Sequence, residues 1–192
     1  MNRITRIVLP IAAIFCVATL PSPAQEAAKI TRIGRYSIAP YGELVLDPKP
    51  NGDYDVLLVG VNGKPMLVKS PDYEVTAPRI EFSLVGKKLK PTRMVTTGGT
   101  KVVSRNPKGE KTVITCDEMR YSATPAPTDR GIMRLTGGVK MVTFDPRFAE
   151  PVAIDGESAT AVFRADGTIK VTMNAGANGG TASGAVYEKA KP

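Results

Sequence analysis

Ile114-Thr115-Cys116-Asp117-Glu118-Met119-Arg120-Tyr121 decides the fold. Its apolar residues, Ile114, Cys116, Met119 and Tyr121, step by two, then three, then two. A flat strand steps by two throughout, because successive side chains point to opposite faces. The extra residue at Asp117-Glu118 throws Met119 and Tyr121 to the wrong face unless the chain bulges or turns a corner there. The same slip recurs 39 residues earlier, in Val75-Thr76-Ala77-Pro78-Arg79-Ile80-Glu81-Phe82. There Pro78, which has no N–H for a ladder, stands at the corner. Each segment therefore reads as one strand that bends midway, or as two strands meeting at a corner.

The offset of 39 holds a second time. Thr97-Gly98-Gly99-Thr100-Lys101-Val102-Val103-Ser104 aligns with Thr136-Gly137-Gly138-Val139-Lys140-Met141-Val142-Thr143. A weaker third copy runs from Gly156 to Phe163 at an offset of 42, followed by Gly179-Gly180-Thr181, and Gly60 lies 39 residues before Gly99 as the mark of a degenerate first copy. A period near 40 implies stacked supersecondary units, each covering its neighbour's apolar face. A sheet bent at the same point in every unit folds over on itself, with one groove along the stack.

Other strand-like runs are Tyr54–Gly60, Pro65–Lys69, Tyr73–Leu84, Met94–Ser104, Lys111–Ala123, Gly131–Phe144, Val152–Arg164 and Thr168–Ala175. Between them lie turn formers such as Asp47-Pro48-Lys49-Pro50-Asn51-Gly52, Asn106-Pro107-Lys108-Gly109 and Ala165-Asp166-Gly167. Few windows repeat apolar residues at helical spacing. The expectation is an all-β chain, as a sandwich, barrel, jelly roll or solenoid.

Composition narrows the chemistry. The chain has 192 residues, 26 Lys+Arg against 18 Asp+Glu, 18 Gly, 16 Pro, no Trp and no His. Without His there is no Ser-His-Asp triad, no Cys-His dyad and no His-ligated zinc. Arg3 and Arg6, the apolar run Ile7–Leu20 and Ser22-Pro23-Ala24 read as a secretory signal cleaved after Ala24. Fourteen apolar residues interrupted by Pro10 are short for a membrane span, so an uncleaved inner-membrane anchor is the lesser alternative. Cleavage leaves a net charge of +6 and one cysteine, Cys116, hence no internal disulfide. The expected organisation is a signal peptide at 1–24 and one β domain at 25–192, with 29–70 a first set of strands or a cap and 71–187 the repeats.

The Ile114–Tyr121 stretch resembles the "I-x-A-D-x-A-x-Y" signature of OstA-like domains. Leu135-Thr136-Gly137-Gly138-Val139-Lys140-Met141 resembles the "L-x-G-N-V-x-I" element that follows it. The likeness covers roughly Asp72 to Tyr187 in alternating blocks, with Cys116 in place of Ala, Gly138 in place of Asn and Pro78 in place of Asp. Such domains form LptA, LptC and the N-terminal region of LptD, the periplasmic lipopolysaccharide-transport bridge. The resemblance implies a β-taco or jelly roll of repeated bent antiparallel strands that shields acyl chains. It also implies end-to-end strand pairing with other bridge proteins or with its own copies, an LptA-like or LptC-like role, and no catalysis or cofactor.

The groove candidates are Val75, Ala77, Ile80, Phe82, Ile114, Cys116, Met119, Tyr121, Leu135, Val139, Met141 and Phe163. Apolar strand residues of this kind equally build an ordinary core. Lys87, Lys88 and Lys90 form the densest basic cluster, suited to a phosphorylated head group or simply to a solvated loop. No metal site is indicated. Asp117, Glu118 and Glu157 read as solvated or ion-paired carboxylates, and Cys116 as a small buried hydrophobe. Three functions stay open: a periplasmic lipid carrier, a structural or carbohydrate-binding module with a self-filled core, and a carboxylate hydrolase. Few aromatics count against sugar binding, no constellation specifies hydrolysis, and scattered basic residues count against nucleic acid.

Overall fold

A computed structural model describes residues 30–87, 89–105, 109–124, 129–146, 149–166, 168–176 and 181–187. The signal-peptide reading of 1–24 lies outside them. The described chain is all-β. Its strands are β1 (Thr31–Ile33), β2 (Tyr36–Ala39), β3 (Glu43–Pro48), β4 (Tyr54–Val59), β5 (Met66–Lys69), β6 (Tyr73–Ala77), β7 (Arg79–Val85), β8 (Lys90–Thr97), β9 (Thr100–Arg105), β10 (Lys111–Cys116), β11 (Glu118–Ala123), β12 (Asp129–Phe144), β13 (Val152–Arg164), β14 (Thr168–Asn174) and β15 (Thr181–Tyr187). One 3-10 turn, Val61–Gly63, links β4 to β5.

All strands belong to one antiparallel sheet that folds over as a taco-like half-barrel. Wall A runs β1-β2-β5-β6-β9-β10 and continues into the second half of β12 and the first half of β13. Wall B runs β3-β4-β7-β8-β11, then the other halves of β12 and β13, then β14 and β15. The strands of residues 31–69 continue the same two walls. Both corners that the sequence predicts lie on the crease, Pro78 between β6 and β7 and Asp117 between β10 and β11; Gly98-Gly99 turns the chain there between β8 and β9. In β12 the register shifts between Thr136 and Val139, across Gly137-Gly138.

Backbone hydrogen bonds run along the crease. Gly60 N–H donates to Pro78 O at 2.8 Å, Gly99 N–H to Asp117 O at 3.1 Å, and Asp117 N–H to Gly137 O at 2.9 Å. The corners of successive units thus satisfy one another's backbone groups where the ladder is interrupted. Away from the crease, the strands end at an open edge made by the other turns of both walls.

Alternation puts one face of each wall inside. At the N-terminal end the walls meet in a filled core, where Ile38, Leu58, Val68, Ile80 and Leu84 are each 0% exposed. Tyr36 of wall A and Phe82 of wall B lie with ring centroids 6.0 Å apart. The open edge is also closed there: Leu89, in the β7–β8 turn, packs onto Gly34, in the β1–β2 turn.

Candidate functional site

Towards the C-terminal half the walls no longer fill the space between them. They enclose a cavity of about 380 Å³, lined by six of the twelve groove candidates: Val75, Ile114, Met119, Tyr121, Met141 and Phe163. The other six, Ala77, Ile80, Phe82, Cys116, Leu135 and Val139, are inward-facing core residues outside this lining. The lining is mainly apolar, with Met94 and Met133 adding to Met119 and Met141. Thioether side chains are flexible and polarizable, and they adapt to irregular apolar partners.

Sequence reasoning missed Met94, Met133, Val102, Val171 and the polar rim. The signal was present in the repeat. Twelve lining residues form six pairs 39 residues apart: Tyr73/Thr112, Val75/Ile114, Pro91/Arg130, Met94/Met133, Val102/Met141 and Ser104/Thr143. Equivalent positions of two consecutive units therefore build the cavity. Carrying the alignment a few residues to either side of each motif locates these twelve, Met94, Met133 and Val102 among them, but not Val171 or Glu110.

Depth follows distance from the crease. Cys116 and the Thr96–Thr100 pair lie towards it, their hydroxyls hydrogen-bonded at 2.6 Å. Burial, with Asp117 and Glu118 beside it, pushes the Cys116 thiol up to about 11, so it stays protonated and inert. Midway, Tyr121 lies over Gly131 and meets Phe163 edge-on, with centroids 6.1 Å apart. Burial also raises the Tyr73 and Tyr121 phenols, which keeps them neutral.

The mouth is polar. Ser104, Thr112 and Thr143 line it on wall A, the last two with hydroxyl oxygens 3.3 Å apart. Pro91 and Arg130 line it on wall B, and Arg130 Nη2 donates to Ala165 O at 2.8 Å. Glu110 stands on the wall A rim. Of the head-group candidates, Lys87 and Lys90 are exposed at the β7–β8 turn, off the cavity lining, and Lys88 lies outside the described residues.

Glu118 pairs with Arg120 on the outer face, and Asp117 and Glu157 are exposed. Among the described residues, no group of three or more His, Cys, Asp or Glu side chains is placed to hold a metal ion. No described helix is long and apolar enough to cross a membrane. No known protein-family profile matches the chain, and no curated protein matches its sequence.

Proposed function

We propose that this chain is a non-enzymatic lipid-binding component of the OstA-like type, which shields acyl chains of lipopolysaccharide or a similar amphiphile on their way to the outer membrane. The observation that carries this reading is the cavity: apolar, methionine-rich, set between two walls and open along an edge with polar groups at its mouth. An amphiphile needs that division, with its chains out of water and its head in it. Each buried methylene contributes about 0.8 kcal/mol before the ordering cost of binding. In this reading the precursor is exported, loses residues 1–24 and works in the periplasm. The free strand edges at the two ends of the taco then pair with like domains.

The test is photo-crosslinking in cells that express the full chain. A photoreactive residue at Tyr121, on the cavity wall, is compared with one at Arg120, on the outer face. Adducts with lipopolysaccharide or another lipid at 121, and none at 120, are expected. No lipid adduct at 121 in folded, exported protein favours a structural module instead. That second reading draws on the N-terminal half, where the walls already fill the interior with their own side chains.

A further inference from the structure

We infer that the cavity holds one alkyl chain beneath a small anionic head, the chemistry of a long-chain fatty acid or a single-chain lysophospholipid, with the head at Arg130. This rests on the lipid-binding reading above and specifies its ligand.

Volume is the first ground. At about 380 Å³ the cavity is at the small end of ligand sites, which run from about 300 to 1,000 Å³. That size suits one alkyl chain better than several. The closed end is the second ground. Tyr73, Val75 and Pro91 bound the cavity towards the N-terminus, and behind them stand Tyr36, Phe82, Leu84 and Leu89. A longer occupant therefore finds no free continuation of the groove in that direction.

Charge at the mouth is the third ground. Arg130 stands where the first of the two equivalent units has Pro91, so a guanidinium replaces an apolar ring at the rim. One of its nitrogens is held by Ala165 O, which fixes the group against wall B while its remaining N–H donors can meet a carboxylate or phosphate. Glu110, across the mouth, is itself engaged within the chain, and it places an anionic head on the Arg130 side.

The experiment uses protein purified after expression of the full 192-residue chain. Saturated fatty acids from eight to eighteen carbons are titrated by calorimetry below their micellar concentrations, alongside the matching lysophosphatidic acids and a hexa-acylated lipid A. Affinity is expected to rise about fourfold per methylene and to level off before eighteen carbons, at one ligand per chain. Comparing the fatty-acid and lysophosphatidic arms at equal chain length identifies the head that is preferred. Arg130→Gln is expected to weaken the acid about tenfold and to leave a fatty alcohol of the same length unaffected. Met133→Trp, which fills the space, is expected to abolish binding without lowering the thermal midpoint. Tighter one-to-one binding of lipid A, or affinity that keeps climbing through eighteen carbons, overturns the single-chain assignment and leaves the lipid-carrier reading standing. No binding of any of these amphiphiles overturns both.

Discussion

Gly137 and Gly138 sit side by side on the crease, both with positive φ, at 78° and 57°, yet they are constrained differently. A Cβ at Gly137 runs into the side chain of Asp117, whose N–H donates to the Gly137 carbonyl, whereas a Cβ at Gly138 meets open space. Gly137→Ala therefore combines left-handed strain with a clash and is expected to cost about 2–3 kcal/mol. Gly138→Asn, which tolerates the left-handed region, is expected to change stability by less than about 1 kcal/mol. Urea denaturation of the two variants checks this, and equal losses remove the steric argument. Cys116 makes a related point: its thiol is accommodated beside the crease because it is buried and uncharged.

Strand β12 is the element that shows why the interior is unevenly filled. Its sixteen residues, Asp129–Phe144, cross from wall B to wall A through the Gly137-Gly138 bulge, pairing with β11 before it and with β10 after it. Leu135, near the crease, is 0% exposed, while Met133, two residues further out on the same face, is 8% exposed and lines the cavity. Leu135→Ala leaves a new hole in packed surroundings and is expected to cost about 3–4 kcal/mol. Met133 already borders empty space on one side, so Met133→Ala is expected to cost only about 1–2 kcal/mol. Comparable losses from the two, measured by thermal denaturation, mean that the cavity is collapsed in solution.

At the scale of the molecule, the two ends of the taco differ. Wall B carries β14 and β15 beyond β13, so among the described residues the first half of β13 is the outer edge of wall A. That edge is apolar: Val152 is 52% and Ile154 37% exposed, beside an exposed Phe144. At the other end, the wall B edge strand β3 finishes in Asp47-Pro48, a charge and a missing donor that both discourage further pairing. Ile154→Lys is expected to leave stability within about 0.5 kcal/mol of the parent and to suppress concentration-dependent association in sedimentation velocity. A parent chain that stays monomeric at every concentration removes the proposed strand-end pairing between copies.

The all-β class, the repeat of 39 and the corners at Pro78 and Asp117 were legible in the sequence because they are local. A step of three among steps of two, a proline at a corner and glycine pairs at fixed spacing constrain the backbone wherever the rest of the chain lies. Half of the groove candidates line the cavity and half pack the core, and no local pattern separates Met119 from Leu135, since both are inward-facing apolar strand residues. That division depends on how far each lies from the crease and on what the opposite wall places across from it. Leu89, half-buried against Gly34 from a turn with φ of 48°, shows the same limit: its role in closing the open edge at the N-terminal end comes from a residue 55 positions away. Periodicity specified which side chains point inward, and only the folding of the sheet decided where they meet each other and where they leave a cavity.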